Sequence, residues 1–225
     1  MTIGKSDEAR AEILARIRKA QGKSARLSEA EIEAAESYIR RHPRGSMKPI
    51  DEDLVARFRT RAEAMQSTTE TVASWSEVPQ AAARYLHAHN LPRSGSVWPA
   101  LGDLDWHGAG LALEARGANG ADLVGVTGVF AALAETGTLM VTSGPASPAA
   151  ASLLPETHIA VVPVSRIVAH MEDGWELLRA ELGEMPRAVN FISGPSRTGD
   201  IDQTIVLGAH GPYRVHMILV AESAR

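Results

Sequence analysis

Glu135, Thr136 and Thr138 crowd around Gly137 in the run Ala134-Glu135-Thr136-Gly137-Thr138, directly before the apolar segment Leu139-Met140-Val141. A carboxylate in such a corner can serve as acid, base or nucleophile where burial or a partner tunes it. Gly137 lets the backbone turn sharply or approach a ligand closely. The same spacing also suits a structural role, with Glu135 capping local N–H groups and the threonines acting as strand residues. A denser run follows at Phe191-Ile192-Ser193-Gly194-Pro195-Ser196-Arg197-Thr198-Gly199-Asp200-Ile201-Asp202. It combines hydroxyls, backbone N–H groups and a guanidinium fork, the groups that recognise phosphate or carboxylate. Ser193, Ser196, Arg197 and Thr198 are therefore expected to bind a small anionic ligand, joined by Thr136 and Thr138. Asp200 can orient Arg197, cap a following helix or help hold a metal. Both Gly-x-Gly-x-x-Gly and Gly-Lys-Thr are missing, so this is neither a dinucleotide fingerprint nor a Walker loop.

A third run, Leu207-Gly208-Ala209-His210-Gly211-Pro212, sets His210 between flexible positions before the apolar segment from Arg214 to Val220. There it can reach a cleft and, with Glu135, position a ligand or move a proton. His216 alternates with apolar residues and reads as a sheet histidine; His158 is either a rim residue or a structural one. A metal site built from Glu135, His158 and His210 lacks any paired-ligand motif, and none is expected. Trp75, Trp98, Trp106 and Trp175 are widely separated and read as core or rim packing.

These runs need a scaffold. Residues 1–65 hold 14 basic and 11 acidic side chains and only Gly4, Gly22 and Gly45 of the 19 glycines, a composition that favours helix. Ala9, Ile13 and Ile17 form one apolar stripe, and Ile32, Ala35 and Ile39 another. Ser28 with Glu31 has capping-box spacing. A third helix is predicted after Asp51, with Leu54, Phe58 and Ala62 on one side. These stripes need a partner, either the main domain or another subunit. From residue 70 the pattern changes to short β-branched runs between Gly/Pro turns. Strands are predicted at 96–98, 111–114, 123–126, 138–142, 158–162, 188–192 and 214–220, with helices at 78–88 and 164–182. The organisation expected is a helical segment over 1–69, packed on an α/β domain over 70–225. Alternation of strands and helices argues for an open, largely parallel sheet covered on both faces. Ligands of such sheets collect beyond the carboxyl ends of the strands.

Composition narrows the function classes. The chain of 225 residues is 44% hydrophobic and 22% charged, ordinary for a globular protein and unlike a disordered, collagenous or membrane-bundle chain. A formal charge of −4 gives no overall pull toward nucleic acid or anionic lipid. The apolar runs are too short to span a bilayer, and the amino terminus lacks a signal peptide's apolar core. A cytoplasmic location is expected. With no cysteine there is no disulfide, no thiol nucleophile and no thiolate-held iron–sulfur cluster.

Taken together, Val126-Thr127-Gly128, Ala134 to Thr138, Ser152 to Val162, Ile192 to Asp202 and Gly208 to Pro212 resemble the lactate-utilisation protein C group, also called the LUD-domain or YkgG family. The matching runs cover roughly the last hundred residues in the right order, and Ile-Ser-Gly-Pro-Ser-Arg-Thr-x-Asp-Ile is specific. One departure is Gly199, where members often carry alanine. The resemblance implies a Rossmann-like fold similar to the NagB/RpiA/CoA-transferase superfamily. It also implies a subunit role in oxidising L-lactate to pyruvate beside iron–sulfur partner proteins. The lack of cysteine means that such partners, or a cofactor the sequence does not name, carry the electrons. Two alternatives stand beside this reading. One is a self-sufficient enzyme resembling CoA transferases or sugar-phosphate isomerases and using Glu135; the other is a non-catalytic scaffold.

Overall fold

The computed structural model describes residues 3–22, 27–201 and 204–222, with the backbone alone at 3–5, 200, 201, 204 and 205. The chain divides into two compact units, Met1–Met47 and Lys48–Arg225. The first carries helices α1 (Ile3–Ala20) and α2 (Glu29–Arg41). Ser28 caps α2 as its spacing predicts: its hydroxyl accepts from the Glu31 N–H, and the Glu31 carboxylate accepts from the Ser28 N–H at 2.8 Å. Ile13, Ile17, Ile32 and Ile39, the apolar positions of the two stripes, are all exposed.

The division falls at Met47/Lys48 rather than at 69/70, because the third helix belongs to the larger unit. This helix, α3 (Leu54–Ala64), is capped by Asp53, whose side chain accepts from Ala56 N–H at 2.7 Å. It buries Phe58 and Ala62 completely. The strand that follows, β1 (Thr68–Val72), enters a six-stranded parallel sheet with β2 (Ser94–Val97), β3 (Ala112–Ala115), β4 (Val124–Thr127), β7 (Thr157–Pro163) and β12 (Arg214–Val220). Their order is β1-β12-β7-β4-β2-β3. From β2 the chain steps outward to β3 and returns to β4 on the other side of β2. The gap between β2 and β4 is thus the topological switch point, where open α/β sheets take their ligands.

One face of this sheet is covered by α4 (Val78–Ala88), whose Ala82 and Leu86 pack against Val126, Ile159 and Ile218. The other face is covered differently from expectation. A second sheet, in the order β8-β5-β6-β9, lies over it: β5 (Ala131–Leu133), β6 (Thr138–Thr142), β8 (Ile167–Val168) and β9 (Val189–Ile192). Leu139, Val141 and Ile192 from this layer share a core with Ala160, Val162, Met217 and Leu219 of the first, and with Phe58 and Ala62 of α3. Helix α5 (Met171–Leu182) closes the outer side through Leu178. It starts later than the predicted 164. Residues 167 and 168 pair with β5 instead, and the Asp173 carboxylate accepts from the His170 N–H at 2.8 Å, marking the true first turn. The remaining strands, β10 (Arg197–Ile201) and β11 (Thr204–Leu207), form an antiparallel hairpin.

Candidate functional site

The end of α3 is where the separate turns meet. Gly137, in the turn between β5 and β6, has φ +70°, and a Cβ there would lie 2.2 Å from the Ala62 nitrogen. Gly194, in the loop after β9, has φ +75°, and its Cβ would lie 2.1 Å from the Met65 carbonyl oxygen. Only a residue without a side chain lets both turns press on the same helix terminus. β6 and β9 are antiparallel neighbours, with Leu139 opposite Ile192, which brings Thr138 beside Ser193. Their hydroxyls are 2.5 Å apart, and the Thr136 hydroxyl lies 2.7 Å from that of Thr138. Thr138 is buried, whereas Thr136 and Ser193 reach the surface. The result is a chain of hydroxyls running from a covered interior position to solvent.

Beyond Gly194 the loop carries Ser196 and Arg197. The Arg197 guanidinium donates from Nη2 to the Met65 carbonyl at 3.3 Å, so it too sits at the end of α3. Ser196 ties in the third run. Its N–H donates to Pro212 O at 2.9 Å, its carbonyl accepts from Gly208 N–H at 2.9 Å, and its hydroxyl accepts from His210 N–H at 3.3 Å. Thr198 is half-buried in β10, paired with Val206. Asp200 lies in the same strand and its side chain is outside the described residues, as is Asp202. β10 turns back into β11, so no helix follows for Asp200 to cap.

The structure therefore joins Thr136, Thr138 and Ser193 through side chains, brings in Arg197 through Met65, and attaches His210 through its backbone. Glu135 is exposed, with its N–H donating to Ala169 O at 3.0 Å. Among the described residues no hydrogen bond or ion pair links the side chains of Glu135, Arg197 and His210 to one another. Hydroxyls and a guanidinium are the groups that donate to a carboxylate or phosphate.

His158 and His216 are buried within the main sheet. His158 is fully buried, its Nε2 2.7 Å from the Thr127 hydroxyl, and burial lowers its pKa from 6.5 to about 4. His216 has Nδ1 2.8 Å from the Thr68 hydroxyl and its ring stacked on Tyr85 at 4.0 Å; burial, with His89 nearby, likewise lowers its pKa to about 4. Among the described residues no group of three or more His, Cys, Asp or Glu is placed to hold a metal ion, and no helix is long and apolar enough to cross a membrane.

Sequence reasoning missed a cavity elsewhere in the main sheet. A cavity of about 210 Å³ lies beyond the carboxyl ends of β2, β4 and β7, lined by Trp75, Trp98, Gly128, Val129, Pro163 and Arg166 among others. The signal was positional rather than compositional: Trp98 and Gly128 are the first residues after β2 and β4.

An open parallel sheet backed by a second β layer, with a Glu-Thr-Gly-Thr turn and a Ser-Gly-Pro-Ser-Arg-Thr loop meeting at one helix end, defines a class of α/β protein. The chain belongs to the LUD-domain family, whose model, described as LUD domain, matches residues 2–220. It is similar to lactate utilization protein C of Bacillus subtilis (strain 168), 35% identical over 133 residues, which cover 56% of this chain and 54% of that protein. It is also similar to lactate utilization protein C of Halalkalibacterium halodurans, 42% identical over 102 residues, 44% of each chain. The chain thus aligns with about half the length of these curated relatives. A crystal structure of a DUF162 family protein from Deinococcus radiodurans superposes with a TM-score of 0.58 at 25% identity, covering 75% of this chain and 96% of that one.

Proposed function

We propose that this chain is a cytoplasmic subunit of an L-lactate utilisation system, in which lactate is oxidised to pyruvate beside iron–sulfur partner proteins. The observation that carries the reading is the hydroxyl chain Thr136–Thr138–Ser193, with Arg197, four residues beyond Ser193, bonded to the Met65 carbonyl at the end of α3. The names of the relatives support the choice of lactate. The lactate carboxylate accepts hydrogen bonds from Ser193 and Arg197, with Ser196 and Thr198 shaping the loop around it. Glu135, exposed and one residue before Thr136, is the candidate base for the substrate hydroxyl proton, and His210 borders the same loop. Oxidation releases two electrons and two protons from the hydroxyl and its carbon. A chain without cysteine holds no thiolate-bound cluster, so those two electrons would leave to an iron–sulfur partner or to a cofactor the sequence does not name.

The test is reconstitution: the chain is combined with candidate iron–sulfur partner proteins, and lactate-dependent dye reduction is followed. The reading expects activity that disappears when the chain is omitted and falls sharply with Glu135→Gln. Full activity without the chain removes the subunit role.

A further inference from the structure

The cavity at the switch point lies apart from the polar cluster, since none of Thr138, Ser193 and Arg197 lines it. Its walls are of another chemistry. Trp98 is held by its backbone N–H to Val126 O at 2.9 Å and by its indole N–H to Pro148 O at 3.0 Å, so the ring is fixed before any ligand arrives. Gly128 stands where a Cβ would lie 3.5 Å from the six-membered ring of Trp98. Trp98 is otherwise buried, 5% exposed, and the missing methyl leaves space beside its six-membered ring on the cavity side. Trp75, just beyond β1, adds a half-buried second indole. Arg166 brings the cation: Nη1 is paired with Glu181 at 2.7 and 2.9 Å, while Nε and Nη2 donate to no described residue.

We propose that this crevice is a mononucleotide site, with a flat heteroaromatic ring at Trp75, Trp98 and Gly128 and the phosphate at Arg166. Two indoles lining one cavity, with space left beside the Trp98 ring by Gly128, select a planar aromatic group, because every such ring has a π-face to stack. A guanidinium with two free donor nitrogens selects a phosphate. The position agrees, since mononucleotide-binding sheets hold their ligand at a switch point. A dinucleotide is disfavoured: β2 runs into Trp98-Pro99-Ala100-Leu101, which lacks the glycine-rich turn that cradles a pyrophosphate. A cavity near 210 Å³ encloses one ring system, leaving the ribose and phosphate to extend toward the rim.

The experiment titrates the full chain with flavin mononucleotide, adenosine monophosphate and nicotinamide mononucleotide, each beside its dephosphorylated nucleoside, by tryptophan fluorescence and calorimetry. At least one mononucleotide should bind saturably, roughly tenfold or more tighter than its nucleoside. Arg166→Gln should abolish that preference. Trp75→Ala should weaken binding by roughly tenfold, and Gly128→Leu should eliminate it by filling the ring space. Circular dichroism checks that each variant folds; should Gly128→Leu not fold, the loss of phosphate preference in Arg166→Gln decides. The proposal is overturned by no saturable binding of any of the three up to about 1 mM. It is equally overturned by affinities that Trp75→Ala and Arg166→Gln leave unchanged.

Discussion

Thr138 owes its place in the polar cluster to a buried position that shares its hydroxyl with Thr136 on one side and Ser193 on the other. That position depends on the two glycines pressed against α3. Gly137→Ala or Gly194→Ala adds a left-handed backbone penalty of about 1–3 kcal/mol to a collision with helix backbone. Each variant should melt well below the parent in a thermal scan, and unchanged melting would contradict the packing described. The buried histidines make a separate prediction. Both have folded pKa values near 4 against an ordinary 6.5, so the unfolded chain binds their protons more readily. Their contribution is complete above pH 6.5 and is lost as the pH falls toward 4, at roughly 3 kcal/mol per histidine. Stability measured by urea unfolding from pH 7 to 4.5 should fall steeply, and His216→Gln should flatten the slope. Equal slopes would show that His216 is not held neutral.

At the scale of elements, α3 carries more than its length suggests. Phe58 and Ala62 belong to the core between the two sheets, and the helix end receives Gly137, Gly194 and Arg197. Phe58→Ala should cost about 3–5 kcal/mol and Asp53→Ala about 0.5–2 kcal/mol. By contrast Ile39→Ala, on the exposed stripe of α2, should change unfolding by less than about 0.5 kcal/mol. Denaturant titrations of the three variants check the order. The signals of α3, α4, β6 and β12 were legible because the two helices each bury one apolar stripe and the two strands are apolar runs buried on both faces, and those elements appear where the sequence predicts them. β1 was not legible: Thr68-Thr69-Glu70-Thr71-Val72 is an edge strand with few apolar residues. β5 and β8 span only three and two residues, too short for any period to register. The hairpin β10–β11 carries Gly199 and Asp200, residue types that speak for a loop.

For the whole molecule, the parallel sheet and the composition of the polar turns could be read from one dimension, but the second sheet could not. It is assembled from segments far apart in the chain, β5 and β6 with β8 and β9, and this pairing is what puts Thr138 next to Ser193. The rule that ligands gather beyond strand ends, applied to the main sheet, points to Trp98 and Gly128 rather than to Ser193. Ser193 follows β9 of the second layer, and the His210 loop precedes β12. The molecule thus offers two separate regions of different chemistry, a polar cluster at the end of α3 and an aromatic-lined cavity at the switch point.

Calorimetric titration of the parent chain with L-lactate and pyruvate, repeated on Arg197→Ala and Ser193→Ala, tests the polar cluster most directly. The parent should bind. Arg197→Ala should weaken that binding by about 1.5–3 kcal/mol, roughly ten- to a hundred-fold, and Ser193→Ala by less, while Gly128→Leu leaves it intact. No binding by the parent, or equal affinities in all four proteins, would contradict the assignment of these turns to an anionic ligand.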